Sequence, residues 1–205
     1  MSIVCAAIKH DEIAIAADTQ MSMGSMAVTA GDLKNCEKLF KVNDSVIGFV
    51  GWKAMATMLE TIISEKEGLF VLDDRKKIYK SLMNLHKEMK ENYFLETSED
   101  HDQPVESLQL DALLINKSGI YEIGSYRDVN QYSRFWAVGS GSRYSLGAME
   151  VLYDKGLNAE ELVIAGVEAA AKFDKGCSLP VSCEVMKRAV PQHVSIVSKT
   201  RECWK

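Results

Sequence analysis

The sequence predicts an α+β layered domain. Segments with strand character and segments with helical period come in separate blocks, in the order strands, two helices, strands, two helices, strand. Alternating βαβ units would interleave them, so this segregation points to sheets and helices stacked in layers. A length of 205 residues, 47% of them hydrophobic and 26% charged, matches one ordinary globular domain with a sizeable core.

Residues 3–8 and 13–17 are apolar and rich in β-branched side chains, and the polar turn between them makes them a hairpin. Residues 19–34, rich in Met, Ser, Gly and Thr, form a loop with a short extended piece. Residues 38–42 and 46–50 make a second strand pair across the turn dipeptide Asn43-Asp44. From Trp52 the period changes: Met55, Met58, Leu59, Ile62 and Ile63 recur at helical spacing, and Gly68 marks a stop. A second helix starts near Asp73, with Ile78, Leu82, Leu85, Met89 and Tyr93 on one stripe. Residues 96–107 are acidic, contain Pro104 and read as an exposed loop. Strands come next at 108–115, 120–123 and 135–138. Helical period returns over 144–153 and 160–173, where Asn158 is placed to cap the second helix with Glu161 three residues on. A last strand covers 181–187. The domain is thus expected to span residues 2–188, with 189–205 as a C-terminal extension.

Several functions are excluded at this level. A net charge of −5 argues against a polyanion-binding surface, so no nucleic acid partner is expected. No run of about 18 apolar residues is present, so no membrane partner is expected either. The stretch 3–8 ends at Lys9-His10-Asp11-Glu12 and lacks a basic start, unlike a signal peptide. The five cysteines are odd in number and contain no Cys-x-x-Cys, which fits reduced thiols in a cytoplasmic compartment. Four scattered histidines and the lack of a phosphate-binding glycine motif leave no expected metal or cofactor.

The second residue is a candidate nucleophile. Serine is small enough for methionine aminopeptidases to remove Met1, which would leave Ser2 with a hydroxyl beside a free α-amine. Such an amine titrates at about 7.7–8.0, near working pH, so one residue supplies both nucleophile and base. A Met-Ser start is common, and its meaning depends on the residues downstream.

Downstream of Ser2 the chain runs strand–turn–strand to Ala16-Ala17-Asp18, then Glu37-Lys38-Leu39-Phe40-Lys41-Val42, then Val46-Ile47-Gly48-Phe49-Val50-Gly51, and later Ala137-Val138-Gly139-Ser140-Gly141-Ser142 opening a helix. In this order and spacing the blocks resemble the proteasome β-subunit family of N-terminal nucleophile hydrolases, over most of residues 2–188. The resemblance implies a four-layer αββα sandwich, two antiparallel sheets between helix layers, and a hydrolase acting on peptide bonds. The family nucleophile is usually threonine. Serine keeps the hydroxyl and the amine but loses a β-methyl that restricts the rotamer, so a slower enzyme is expected.

The resemblance assigns roles residue by residue. Ser2 would attack a carbonyl carbon and pass its proton to its own amine. Asp18, otherwise an ordinary strand-ending acid, would hold a lysine charged. Two lysines compete: a fixed count from Asp18 lands on Lys34, whereas the acid-Lys-Leu-x-x-Val pattern entering a strand selects Lys38, the preferred choice because a strand fixes a charge better than a loop. Gly51 would offer its N–H to the oxyanion, a donor whose loss typically costs about 10²–10³ in rate; a plain strand-to-helix turn is the alternative. Ser140 would tune the α-amine, or simply cap its helix. Asp174 matches the acid of a late family motif, but Cys177 stands where that motif has serine, and Leu179-Pro180 replace its glycine pair. Met21, Phe49 and Lys53 fall at substrate-pocket positions. The expected assembly is a homo-oligomeric ring acting on peptides or unfolded protein, with any ATPase unfoldase on a separate chain. The rival expectations are a non-catalytic scaffold subunit of the same fold and an amidohydrolase of small amides.

Overall fold

The computed structural model describes residues 2–99 and 101–189. Sixteen residues, 190–205, which hold most of the predicted C-terminal extension, lie outside the described residues, as does Met1. The chain opens with the hairpin β1 (Val4–Lys9) and β2 (Glu12–Asp18), followed by a small ribbon, β3 (Met21–Met23) and β4 (Met26–Val28). Next come β5 (Leu39–Val42), β6 (Ser45–Val50), α1 (Lys53–Glu65), a short 3-10 turn (Glu67–Leu69) and α2 (Arg75–Asn92). The second half holds β7 (Asp111–Asn116), β8 (Gly119–Ile123), β9 (Val129–Tyr132), β10 (Phe135–Val138), α3 (Ser142–Leu152), α4 (Ala159–Phe173) and β11 (Val181–Lys187).

Two antiparallel sheets result, of order β10-β1-β2-β11 and β5-β6-β7-β8-β9. Side-chain alternation sorts their residues into three cores. Val4, Ala6, Ile8, Ile13 and Ile15 meet Val46, Leu113 and Ile115 between the sheets. Cys5, Ala7, Ala14 and Ala16 point the other way, onto Met149, Leu162, Val163 and Val167 of α3 and α4. Ile47, Phe49, Ala112 and Leu114 pack against Leu59, Ile62, Ile78 and Leu85 of α1 and α2. The architecture is the four-layer αββα sandwich that the resemblance implies. The helix-facing positions of β1 and β2 are mostly alanine, which lets α4 lie close to the sheet.

The helix starts obey the sequence signals. Asp74 accepts from the Lys76 and Lys77 backbone N–H groups, and Asn158 with Glu161 forms the predicted capping box. Three differences stand out. The strand expected over 108–115 begins only at Asp111, because Gln109 adopts a left-handed φ of 50° that interrupts extended pairing; Leu108 and Leu110 are nonetheless buried. The edge strand β9 has no counterpart among the expected strands, since Val-Asn-Gln-Tyr has no alternating apolar signal. Residues 19–34 hold a true ribbon, β3 paired with β4.

Candidate active site

Register alone brings the site together. Val4 pairs with Val138, so two residues further out Ser2 lies opposite Ser140; Val4 also pairs with Ala17, so Ile3 comes beside Asp18. Ser2 therefore leaves the sheet between the loop after β10 and the end of β2. On the other sheet Leu39 pairs with Gly48, and the Phe49 N–H donates to the Lys38 carbonyl at 2.9 Å. Lys38 and Gly51 thus sit at one end of the five-stranded sheet, across the sandwich from Ser2.

The Ser2 backbone is gripped on the side of β10. Its nitrogen donates to Ser140 Oγ at 3.2 Å, and its carbonyl accepts from Ser140 Oγ at 3.4 Å and from the Gly141 N–H at 3.3 Å. This fit requires Gly139. Its φ is +97°, and a Cβ there would come within 2.3 Å of the Ser2 carbonyl oxygen.

Asp18 is fully buried and saturated with donors. Oδ1 accepts from the Ile3 N–H at 2.9 Å and from Lys38 Nζ at 2.6 Å; Oδ2 accepts from the Gln20 N–H at 3.0 Å and the Ser178 N–H at 3.3 Å. A buried carboxylate is tolerable with this many partners. The carboxylate binds the backbone one residue from Ser2 and also the Lys38 ammonium, so it fixes the position of both. The Lys38 side chain is 13% exposed. Burial holds its pKa below the ordinary lysine value, against the opposing pull of the Asp18 charge. Lys34, its competitor, is exposed on the loop before β5.

Behind Ser2 lies the turn after α4. Asp174 caps the helix end through its own N–H to Ala170, its Oδ1 accepts from the Gly176 N–H at 2.7 Å, and its carbonyl accepts from the Cys177 N–H at 3.1 Å. Asp174 therefore shapes the turn that delivers Cys177 and the Ser178 N–H to the site. The Cys177 thiol is pushed up to about 12, first by burial and then by the neighbouring charges of Asp18 and Asp174, so it remains a neutral thiol. It lies against Gly141 and within hydrogen-bond reach of Ser140.

In front lies a cleft of about 330 Å³, lined by Ser2, Met21, Cys36, Lys38, Phe49, Gly51 and Lys53 among others. All three predicted pocket positions face it. Phe49 is buried, and a Cβ on Gly51 would stand 3.0 Å from its ring; with φ at +137° Gly51 also has a backbone that L side chains rarely adopt. Lys53 Nζ donates to the Asn35 carbonyl, which ties the loop before β5 to the start of α1. Sequence reasoning missed Gln20, Cys36, Gly139 and the Ser178 N–H. Gly139 was in plain view inside the Gly-Ser-Gly-Ser block, but its contact with Ser2 depends on the pairing of β1 with β10, elements over 120 residues apart. Among the described residues, no cluster of three or more His, Cys, Asp or Glu side chains is placed to hold a metal, and no helix is long and apolar enough to cross a membrane.

Comparison with known proteins agrees with this fold. The proteasome subunit family matches residues 2–180 of the chain. The ATP-dependent protease subunit HslV of Ligilactobacillus salivarius is 26% identical over 180 residues, covering 85% of this chain and 93% of that protein. Among solved structures, Thiobacillus denitrificans BPH is 34% identical with a TM-score of 0.85, covering 91% of this chain and 98% of that one. The same protein in complex with epoxomicin gives 34% identity and a TM-score of 0.83 over 92% and 100% of the two chains. The HslV of Trypanosoma brucei, 21% identical with a TM-score of 0.68 over 91% and 99% of the two chains, shares the fold. With four layers, a β1 that starts beside a buried Asp–Lys pair and a family match over nearly the whole domain, the chain belongs to the proteasome subunit family of N-terminal nucleophile hydrolases.

Proposed function

We propose that this chain is a proteasome-like peptidase that cleaves peptide bonds with Ser2 as nucleophile once Met1 is removed. The observation that carries the reading is the buried Lys38–Asp18 ion pair at the strand end from which Ser2 emerges. Burying two charges is costly, and a scaffold subunit would be more cheaply built with apolar residues in their place.

In this mechanism the Ser2 hydroxyl attacks the scissile carbonyl and gives its proton to its own α-amine, which Ser140 holds. The Lys38 ammonium favours the alkoxide as it forms. The Gly51 N–H receives the oxyanion, and the protonated amine then passes its proton to the departing amine of the substrate. Water releases the acyl group from Ser2 by the same steps in reverse order. Asp18 keeps Lys38 charged and in place, and Asp174 positions Cys177 and Ser178 behind the nucleophile. Met21 and Phe49 offer an apolar pocket. The HslV relatives are subunits of an ATP-dependent protease, which supports a homo-oligomeric ring in the cytoplasm acting on unfolded protein with a separate ATPase.

Three measurements test this. Intact mass of the purified protein is expected to lack Met1; a retained Met1 blocks the amine and sinks the mechanism. Ser2→Ala should abolish hydrolysis of fluorogenic peptides while leaving the fold intact. Epoxomicin, which binds the Thiobacillus denitrificans protein, is expected to inhibit this one, and to lose its effect on labelling and mass when Ser2 is alanine.

A further inference from the structure

Trp52 has no structural reason to be tryptophan. It occupies the N-cap of α1, a position that favours Ser, Thr, Asp or Asn, and its side chain makes no capping hydrogen bond. The helix start uses only its backbone, whose carbonyl accepts from Met55 at 3.0 Å and Ala56 at 3.3 Å. Its side chain is 75% exposed, so it adds little to any core. Trp136 shows what a structurally used indole does in this protein: its Nε1–H donates to Glu122 at 3.0 Å and its ring stacks on Tyr132 at 4.2 Å. Trp52 does neither, yet it lines the same cleft as Ser2 and directly follows Gly51.

We propose that Trp52 is a specificity-determining residue: its indole packs on an aromatic or branched apolar side chain of the peptide substrate close to the scissile bond. The inference rests on the Ser2 peptidase reading. Adjacent Cα atoms are 3.80 Å apart and an extended peptide advances about 3.3 Å per residue. An indole rooted one residue from the oxyanion donor therefore meets substrate side chains within about three residues of the cleaved bond. A rigid, exposed aromatic suits this task because it offers a large contact area at low entropy cost. Ser2, Lys38 and Gly51 act on the carbonyl, which every peptide has. Trp52 acts on what differs between peptides.

The test uses two peptide series that differ only in having Phe or Gly within three residues of the scissile bond. Trp52→Ala is expected to lower kcat/KM roughly three- to tenfold for the Phe peptides, mainly through KM, and to leave the Gly peptides unchanged; Trp52→Phe should restore most of the loss. Binding is read separately in Ser2→Ala protein, where the Phe peptide should shift tryptophan emission, and the shift should vanish with Trp52→Phe. Equal losses for both series, or an altered assembly in native mass spectrometry without a change in the Phe-to-Gly ratio, would overturn the proposal. An active enzyme with no emission shift removes the role of Trp52 and leaves the peptidase reading standing. An emission shift in a protein that never hydrolyses peptides removes the peptidase reading and keeps the peptide contact.

Discussion

The rear and the front of the Ser2 site are built to opposite standards. At the rear, the backbone and the carboxylates are held, and only the Ser178 hydroxyl among the named groups is buried without a partner. Asp18 takes four hydrogen bonds, Ser140 and Gly141 grip the Ser2 backbone, and Asp174 sets the turn carrying Cys177 and Ser178. Packing there is so tight that Gly139 has no room for a Cβ. At the front, the cleft is open, lined by Met21, Cys36 and the exposed Trp52, with polar contacts such as that of Lys53 tying loop to helix. The difference separates two demands. Chemistry on a carbonyl tolerates little displacement, since even a 1 Å error costs about 10²-fold. Recognition of varied side chains tolerates, and gains from, adaptable surface such as methionine.

Mutations at the two ends should therefore differ in kind. The largest effect is expected from Asp18→Ala. It leaves the Lys38 ammonium buried without its partner, a defect typically costing about 3–5 kcal/mol, and frees three backbone donors. Thermal unfolding should show a large loss of stability together with lost activity. An Asp18→Ala protein as stable as the parent would break the claim that the rear is held by this acid.

Gly139→Ala comes next. The new Cβ would collide with the Ser2 carbonyl and strain the backbone, so kcat should fall about 10²-fold. The same substitution at Gly156, where φ is +84° but a Cβ meets nothing within 4 Å, should cost stability and spare catalysis. Comparing the two by peptide assay separates backbone strain from displacement of Ser2.

The pH profile sharpens the point. Activity should rise as the α-amine loses its proton near about 7.7–8.0 and fall again as Lys38 loses its own. Because burial lowers the Lys38 pKa, the alkaline fall should begin below the range of a solvated lysine, about 10.4. The contribution of Lys38 to stability runs the other way. The unfolded chain binds this proton more tightly, so between the folded and unfolded pKa values stability gains as pH rises. Lys38→Arg, if active, should move the alkaline limb upward in kcat/KM measurements.

At the front the effects are smaller. Met21→Ala should change which peptides are cleaved while leaving stability within about 0.5 kcal/mol of the parent, as read by a peptide panel and thermal melts. A loss of stability above roughly 2 kcal/mol, well outside the usual surface range, would show that the cleft wall is as tightly built as the rear.

How much of this was legible in the sequence differs along the same divide. The layered class, the two helix pairs and the Asn158–Glu161 capping box come from period and local signals, which act within a few residues. Ser2, Asp18 and the lysine before β5 were nameable only through the family resemblance, which the order and spacing of the motif blocks carry. The choice between Lys38 and Lys34 was not decided by counting. The strand-entry pattern preferred Lys38, and the pairing of Leu39 with Gly48 places Lys38 beside Asp18 and leaves Lys34 on an exposed loop. The closure of Gly139 on Ser2, the reach of the Ser178 N–H to Asp18 and the idle indole of Trp52 were likewise invisible. They depend on which distant strands pair and which face is left open, and a linear chain carries that information only through the packing of the whole.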